Sequence, residues 1–159
     1  MLPHLGVMYD FGRGGLAKDE VRAVELYRMA ADQGHARGQY NLAVSYEHAQ
    51  GNLPKNTVEA VRLYRKAADQ GHVSAQVNLG VMYEWGEGEL EKDLAQAAAW
   101  YRKAADQGSA SGQAYLAEMY EHGKGGLQQN MPEALRLYRL AAAQGKDYAK
   151  KALTRLGAD

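Results

Sequence analysis

The sequence predicts an all-α, right-handed α-solenoid of about four antiparallel helix pairs with a 37-residue period, closed by a C-terminal capping helix. Three observations carry this expectation. Ala-Asp-Gln-Gly recurs at Ala31–Gly34, Ala68–Gly71 and Ala105–Gly108, and Ala-Ala-Gln-Gly ends at Gly145, each 37 residues after the last. Tyr9, Tyr46, Tyr83 and Tyr120 form one column at that period, and Tyr27, Tyr64, Tyr101 and Tyr138 form another. Together these columns hold most of the 11 tyrosines, which explains why the chain has a single Phe. Leu5, Leu42, Leu79, Leu116 and Leu153 form a third column. A fixed period across four units is the mark of a repeat architecture, in which each unit buries its apolar face on its neighbours.

Each unit reads as two helices. Helix A spans about 36–48 in the second unit, where Gly38, Gln39, Leu42, Ala43 and Tyr46 recur at i, i+3, i+4 spacing and share one face. Helix B spans about 57–70, with Ala60, Leu63, Tyr64, Ala67 and Ala68 on its face. Its start is marked by Asn56 with Glu59, Asp93 with Gln96 and Asn130 with Glu133, each a capping oxygen three residues before an acid or amide. In the first unit Asp19 is followed by Arg22, so that box is incomplete. Helix B stops at Gly34, Gly71, Gly108 and Gly145, the residue type that accepts a left-handed cap. The loop from A to B carries Gly14, Gly51, Gly88 and Gly125, then Leu16, Leu53, Leu90 and Leu127, which should tuck under the helix pair. Gly6 and Gly80 fall within helix A, where Gly costs about 1 kcal/mol relative to Ala. A tyrosine ring packed on the gap would offset that. The tyrosine hydroxyls, if buried, need a partner, expected in a loop backbone or in solvent.

The expected organisation is one domain over 1–159, with units at about 1–30, 31–67, 68–104 and 105–141 and a partial unit at 142–159. The last unit has helix A alone, about 147–156, with Lys146, Lys150, Lys151 and Arg155 making it a polar cap. The first unit begins inside helix A. Its Leu5 and Tyr9 side is expected to be covered by self-association or by a terminal segment folding back, and the chain is expected to be a fragment of a longer protein.

Composition excludes several functions. Lys+Arg and Asp+Glu are both 19, so the formal charge is zero and the basic excess a nucleic-acid binder needs is missing. With no Cys there is no disulfide framework, cysteine-ligated metal or thiol nucleophile. No apolar run approaches the roughly 20 residues of a membrane span, and no signal peptide is visible. Compartment is left open. None of Ser45, Ser74, Ser109 and Ser111 begins a Ser-x-x-Lys, and Gly108-Ser109-Ala110-Ser111-Gly112 has Ala where a nucleophile elbow needs Ser. His35 and His72 are repeat equivalents, as are His48 and His122. Equivalent residues on packed helices stand roughly 10 Å apart, whereas zinc ligands sit about 2 Å from one ion, so these columns do not share a metal. No catalytic residue and no cofactor is expected.

Leu79-Gly80-x-Met82-Tyr83, Gly86-x-Gly88, Trp100-Tyr101-Arg102-Lys103-Ala104-Ala105 and Gln107-Gly108 resemble the SEL-one-like repeat, a relative of the tetratricopeptide repeat. The resemblance covers nearly the whole chain. It departs in its period, 37 instead of the usual 36, with the extra residue in the A-to-B loop. It also lacks the paired cysteines of the secreted, disulfide-bridged branch, to which this chain is not assigned. The resemblance implies a non-enzymatic scaffold that binds a protein or peptide partner in a concave groove. Bacterial adaptor, envelope, host-interaction or effector–immunity roles go with it. A β-lactamase-like hydrolase and a purely structural segment of a larger protein are the alternatives.

In such repeats the groove is lined by the helix-A face opposite Leu42 and Tyr46. Here that face holds Phe11 in the first unit, Tyr40, Val44, Glu47 and His48 in the second, Val77, Val81, Glu84 and Trp85 in the third, and Glu118, Glu121 and His122 in the fourth. Its apolar members stand where a solvated helix would be polar, the usual sign of an interface. Asp10, Glu47, Glu84 and Glu121 make an acidic column near the helix-A C-terminus, where the macrodipole disfavours negative charge. Either a neighbouring Lys or Arg or a partner's donor should compensate. Arg28, Arg65, Arg102 and Arg139 with Asp32, Asp69 and Asp106 four residues on read as a solvated i, i+4 face of helix B.

Overall fold

The structure is a computed structural model that describes residues 1–158. It is all-α among these residues, with nine helices: α1 (Leu2–Phe11), α2 (Glu20–Asp32), α3 (Ala36–His48), α4 (Thr57–Asp69), α5 (Val73–Trp85), α6 (Leu94–Asp106), α7 (Ala110–His122), α8 (Met131–Ala143) and α9 (Asp147–Arg155). Odd-numbered helices are the A members and even-numbered ones the B members. The expected boundaries of helices A and B in the second unit are met to within one residue. The fold is therefore the repeat of helix pairs, of the α-solenoid class, that the 37-residue period predicts. By compactness the chain divides into 1–75 with 87–89, and 76–86 with 90–159, the division running through α5.

In the first unit the core is Ala23, Leu26, Tyr27, Ala30, Leu42, Ala43, Ala60, Leu63, Tyr64 and Ala67, all buried. Small residues let the helices close up: a Cβ on Gly38 would stand 2.5 Å from the Ala30 Cβ. The Gly6 gap is filled as expected, since a Cβ there would lie 2.6 Å from the Tyr27 ring. Leu5 is the exception to its column, 38 % exposed where Leu42 is buried. The helix α1 packs on α2 and α3, and among the described residues of this unit no terminal segment folds back over Leu5. That form of the expected covering is not what the structure has.

The second unit repeats the plan with Leu79, Tyr101, Leu116, Tyr138 and Leu153 buried. The Tyr101 ring fills the Gly80 gap at 2.5 Å. Leu127 packs against the core cluster, the role expected of the loop leucines.

The start of helix B differs from the expected box. Asp19, Asn56 and Asn130 accept from the N–H of Arg22, Glu59 and Glu133, while Asp93 accepts from Ala95 and Gln96. The return bond is not made by the Glu side chain. Instead the N–H of Asp19, Asn56, Asp93 and Asn130 donates to the carbonyl of Tyr9, Tyr46, Tyr83 and Tyr120 at the end of helix A. Glu59 and Glu133 are then free to pair with Arg62 and Arg136. This is why Arg22 is tolerated at the same place: the backbone of helix A supplies what the missing carboxylate would have.

Candidate functional site

The helix-A face carries two kinds of residue. Phe11 is 62 % exposed and Trp85 67 % exposed, each in the last turn of its helix, and His48 and His122 are exposed beside them in register. Tyr40, Val44, Val81, Glu47, Glu84 and Glu118 are half-buried. Val77 and Glu121 are buried, at 8 % and 3 % exposure, so neither presents a free surface. For these two the expected groove assignment is corrected. Val77 lies in the turn of α5 that packs inward. Glu121 is turned into a polar cluster at the end of the second unit.

The acidic column is held by an arrangement the sequence reading missed. Each carboxylate accepts a hydrogen bond from the buried tyrosine 17 residues later. Tyr27 donates to Asp10 at 3.2 Å, Tyr64 to Glu47 at 2.5 Å, Tyr101 to Glu84 at 2.7 Å and Tyr138 to Glu121 at 2.8 Å. The phenols thus reach neither loop backbone nor solvent, and three of the four carboxylates have no ion pair with a Lys or Arg among the described residues. The exception is Glu121, which accepts from Arg155 of α9 at 2.8 Å. Burial, reinforced by the facing carboxylates, pushes the phenols of Tyr27, Tyr101 and Tyr138 well above their ordinary pKa. The signal was present in the sequence as two columns of one period offset by 17. Pairing them requires knowing how far helix B leans over helix A.

A second missed column is amide on amide. Gln39, Gln76 and Gln113 are buried in helix A, and each accepts from the Gln that ends helix B of its own repeat. Gln70 reaches Gln39 at 2.7 Å, Gln107 reaches Gln76 at 2.8 Å and Gln144 reaches Gln113 at 2.9 Å.

The histidines that open helix A differ in detail. His35 makes no side-chain cap, whereas His72 accepts the Ala75 N–H at 3.3 Å and stacks on Tyr40 at 4.6 Å. Burial, with Arg37 nearby, lowers the His72 pKa. At the other end, Tyr148 bonds Glu118, and Lys124 pairs with it at 3.2 Å. Burial opposes ionisation of Glu118, but these two donors outweigh it and the carboxyl stays below its usual range. Lys146 donates to Ser111 Oγ at 2.8 Å. On helix B, Arg28 and Arg102 make no ion pair with Asp32 and Asp106. Arg102 instead reaches the Tyr120 hydroxyl at 2.8 Å, so the expected i, i+4 pairing is not formed there. Beside α2 lies a more apolar pocket of about 450 Å³ that includes Val21, Val24, Met29 and Leu53. This surface was not anticipated, because its residues come from helix B and the following loop. Among the described residues no group of His, Asp and Glu is placed to hold a metal, and no helix is long and apolar enough to cross a membrane.

Helix pairs with a polar lattice between their members and aromatic residues left outside the core define a repeat scaffold, a class whose working part is a surface. The chain matches the Sel1 repeat at residues 4–35, 36–72, 73–109 and 110–146, and it belongs to the Sel1 repeat family. Proteins of this family are generally protein-interaction scaffolds. Among solved structures it is similar to a protective antigen present in uropathogenic Escherichia coli strains that displays an SLR fold. That match has 38 % identity and a TM-score of 0.83, over 93 % of this chain and 31 % of the antigen. A Sel1 repeat protein from Oxalobacter formigenes is 36 % identical at a TM-score of 0.80, over 93 % of this chain and 59 % of that one. Cysteine-rich protein B of Helicobacter pylori is 25 % identical at a TM-score of 0.64, over 86 % of this chain, although this chain contains no Cys. The chain thus spans about a third of the first relative and somewhat over half of the second. No curated protein matches it by sequence.

Proposed function

We propose that the chain is a non-enzymatic scaffold whose helix-A face binds a partner protein or peptide. By family resemblance we read it as a bacterial adaptor, envelope, host-interaction or effector–immunity scaffold. The observation that carries the proposal is Trp85, 67 % exposed at the end of α5 while the core around that helix is closed without it. Phe11 stands equally open at the end of α1. Interface energy concentrates in aromatic anchors, with Trp the most enriched. Capture of binding proteins on the intact chain, followed by titration with the Trp85→Ala variant, tests it. Truncating such an anchor costs about 2 kcal/mol, roughly thirtyfold in affinity. The melting temperature should stay nearly unchanged, and Arg65→Ala on helix B should bind as the parent does. Equal affinity of parent and Trp85→Ala for the captured protein would remove the face assignment.

The hydrolase alternative has one geometric foothold, the Ser111–Lys146 contact. Ser111 begins no Ser-x-x-Lys, the motif in which such a pair performs that chemistry. Incubation with a chromogenic lactam should therefore show no turnover. Self-association through the open Leu5 edge remains part of the proposal, and sedimentation across a concentration series reads it directly.

A further inference from the structure

The space above Asp10 in the first unit shows both a hole and, by repeat register, the group that would fill it. The pocket, about 240 Å³, includes Asp10, Phe11, Tyr27, Tyr40, Asn41 and Val44 in its walls. Its floor is the Asp10 carboxylate, which accepts a hydrogen bond from the Tyr27 phenol at 3.2 Å. Lys18 and Arg37 lie within electrostatic reach of Asp10 and Tyr27 respectively, but neither forms an ion pair with the carboxylate. Asn41 Nδ2 is shut off from solvent and has no hydrogen-bond partner. An unmatched buried donor is costly, and it places a side-chain amide in the pocket wall as a local reporter.

The repeat register says what is missing. Three periods on, Asp10 becomes Glu121, Tyr27 becomes Tyr138 and Val44 becomes Arg155. At that end of the chain Arg155 lays its guanidinium on Glu121, with Nη2 at 2.8 Å and 2.9 Å from the two carboxylate oxygens, while Tyr138 donates to the same carboxylate. In the first unit Val44 stops short, and the volume an arginine head would occupy is open. The walls suit one. Both cations are drawn to aromatic faces, but a planar guanidinium stacks flat on them and grips a carboxylate in a fork, which an ammonium cannot do. Phe11 already carries the Arg13 guanidinium 5.0 Å from its ring centre.

We infer that this pocket receives an arginine side chain of a partner peptide, its guanidinium on Asp10 between Phe11 and Tyr40. The inference deepens the scaffold reading and rests on it, since it names the chemistry of one contact on the same face. The test does not need the natural partner. The ¹⁵N-labelled chain is titrated with acetyl-Ala-Ala-Arg-Ala-Ala-amide and with the peptide carrying citrulline, the uncharged near-isostere of arginine. The Asn41 side-chain amide is followed. The arginine peptide should shift that resonance with at least tenfold higher affinity than the citrulline peptide, and Asp10→Asn should remove the difference. Equal response to both peptides, a response that survives Asp10→Asn, or none at millimolar peptide overturns the inference. Val44→Arg gives a second reading that needs no ligand. It should raise the melting temperature, lose that gain when combined with Asp10→Asn, and abolish the peptide response. A melting temperature lowered alike with and without Asp10 would show that the space does not fit a guanidinium. Failure of these measurements with Trp85-dependent capture intact sinks the arginine pocket alone. Failure of capture with the peptide response intact sinks the wider reading.

Discussion

The buried tyrosines Tyr27, Tyr101 and Tyr138 of the helix-B column keep their protons because two things act on them together. Burial disfavours the phenolate, and the carboxylate accepting its hydrogen bond would be left facing a second negative charge. For Tyr27, Tyr101 and Tyr138 the native pKa is therefore raised above the ordinary value of about 10. The linkage follows directly. The unfolded chain releases these protons near pH 10 and the native chain does not. The stability they contribute is thus intact below pH 10 and falls as the pH rises above it, by about 1.4 kcal/mol per pH unit for each retained proton. Phenolate absorbance should show the accessible tyrosines ionising first and the buried column ionising only with loss of helical signal. A single smooth titration of all 11 tyrosines with the helix content unchanged would contradict it.

At the scale of the element, the A-to-B loop is where one repeat rests on the one before. Gly125 and Gly126 are neighbours, both with positive φ, 65° and 75°. Alanine at either pays for the left-handed backbone, about 1 kcal/mol or somewhat more. Only at Gly125 would the added Cβ also run into the Leu94 carbonyl of α6 and stand 3.0 Å from the Ala98 Cβ, whereas at Gly126 nothing lies within 4 Å. Gly125→Ala should therefore lower stability by about 1–3 kcal/mol more than Gly126→Ala, the usual cost of overpacking. Paired denaturant melts measure the difference, and equal midpoints would mean that the loop is not seated on α6. The sequence made these loops, the helix boundaries and the glycine gaps legible, because period and residue size are local facts. It did not reveal that the N-cap N–H turns to a Tyr carbonyl, or that the tyrosine hydroxyls choose carboxylates. Those bonds depend on the crossing of helix B over helix A, which no spacing encodes. Of the candidate face, the exposure of Phe11 and Trp85 agrees with the pattern. Val77 and Glu121 fell inside because a helix has a flank as well as a front and a back, and residues there can pack or pair with the next helix.

For the whole molecule, the governing fact is that the tyrosine–carboxylate and Gln–Gln columns joining helix A to helix B close within one repeat, while bonds such as Arg102 to the Tyr120 hydroxyl and Gln144 to the Gly108 carbonyl, with apolar and glycine contacts, join a repeat to the next. A chain built this way has stability that is approximately a sum of unit and interface terms. Removing residues 68–104, one full period, should leave a folded helical protein that still unfolds cooperatively, with a lower melting temperature. A deletion product without a cooperative transition would show that the repeats do not stand in this nearest-neighbour relation.

The same self-closure bears on how such a chain can lengthen or shorten over generations. A block cut at Gly71 and Gly108 takes with it Tyr101 and Glu84, Gln107 and Gln76, Asp93 and the Tyr83 carbonyl, both halves of each of these column bonds. Duplicated or lost at that seam by misaligned recombination, it keeps these column bonds whole. A cut between Glu84 and Tyr101 would leave mismatched partners at both new joints wherever the inserted block came from another register. The seam at which the Sel1 repeats adjoin, at residues 72 and 73, lies one residue past that glycine. The grammar of the hydrogen bonds thus decides which insertions the protein can inherit without first having to unfold.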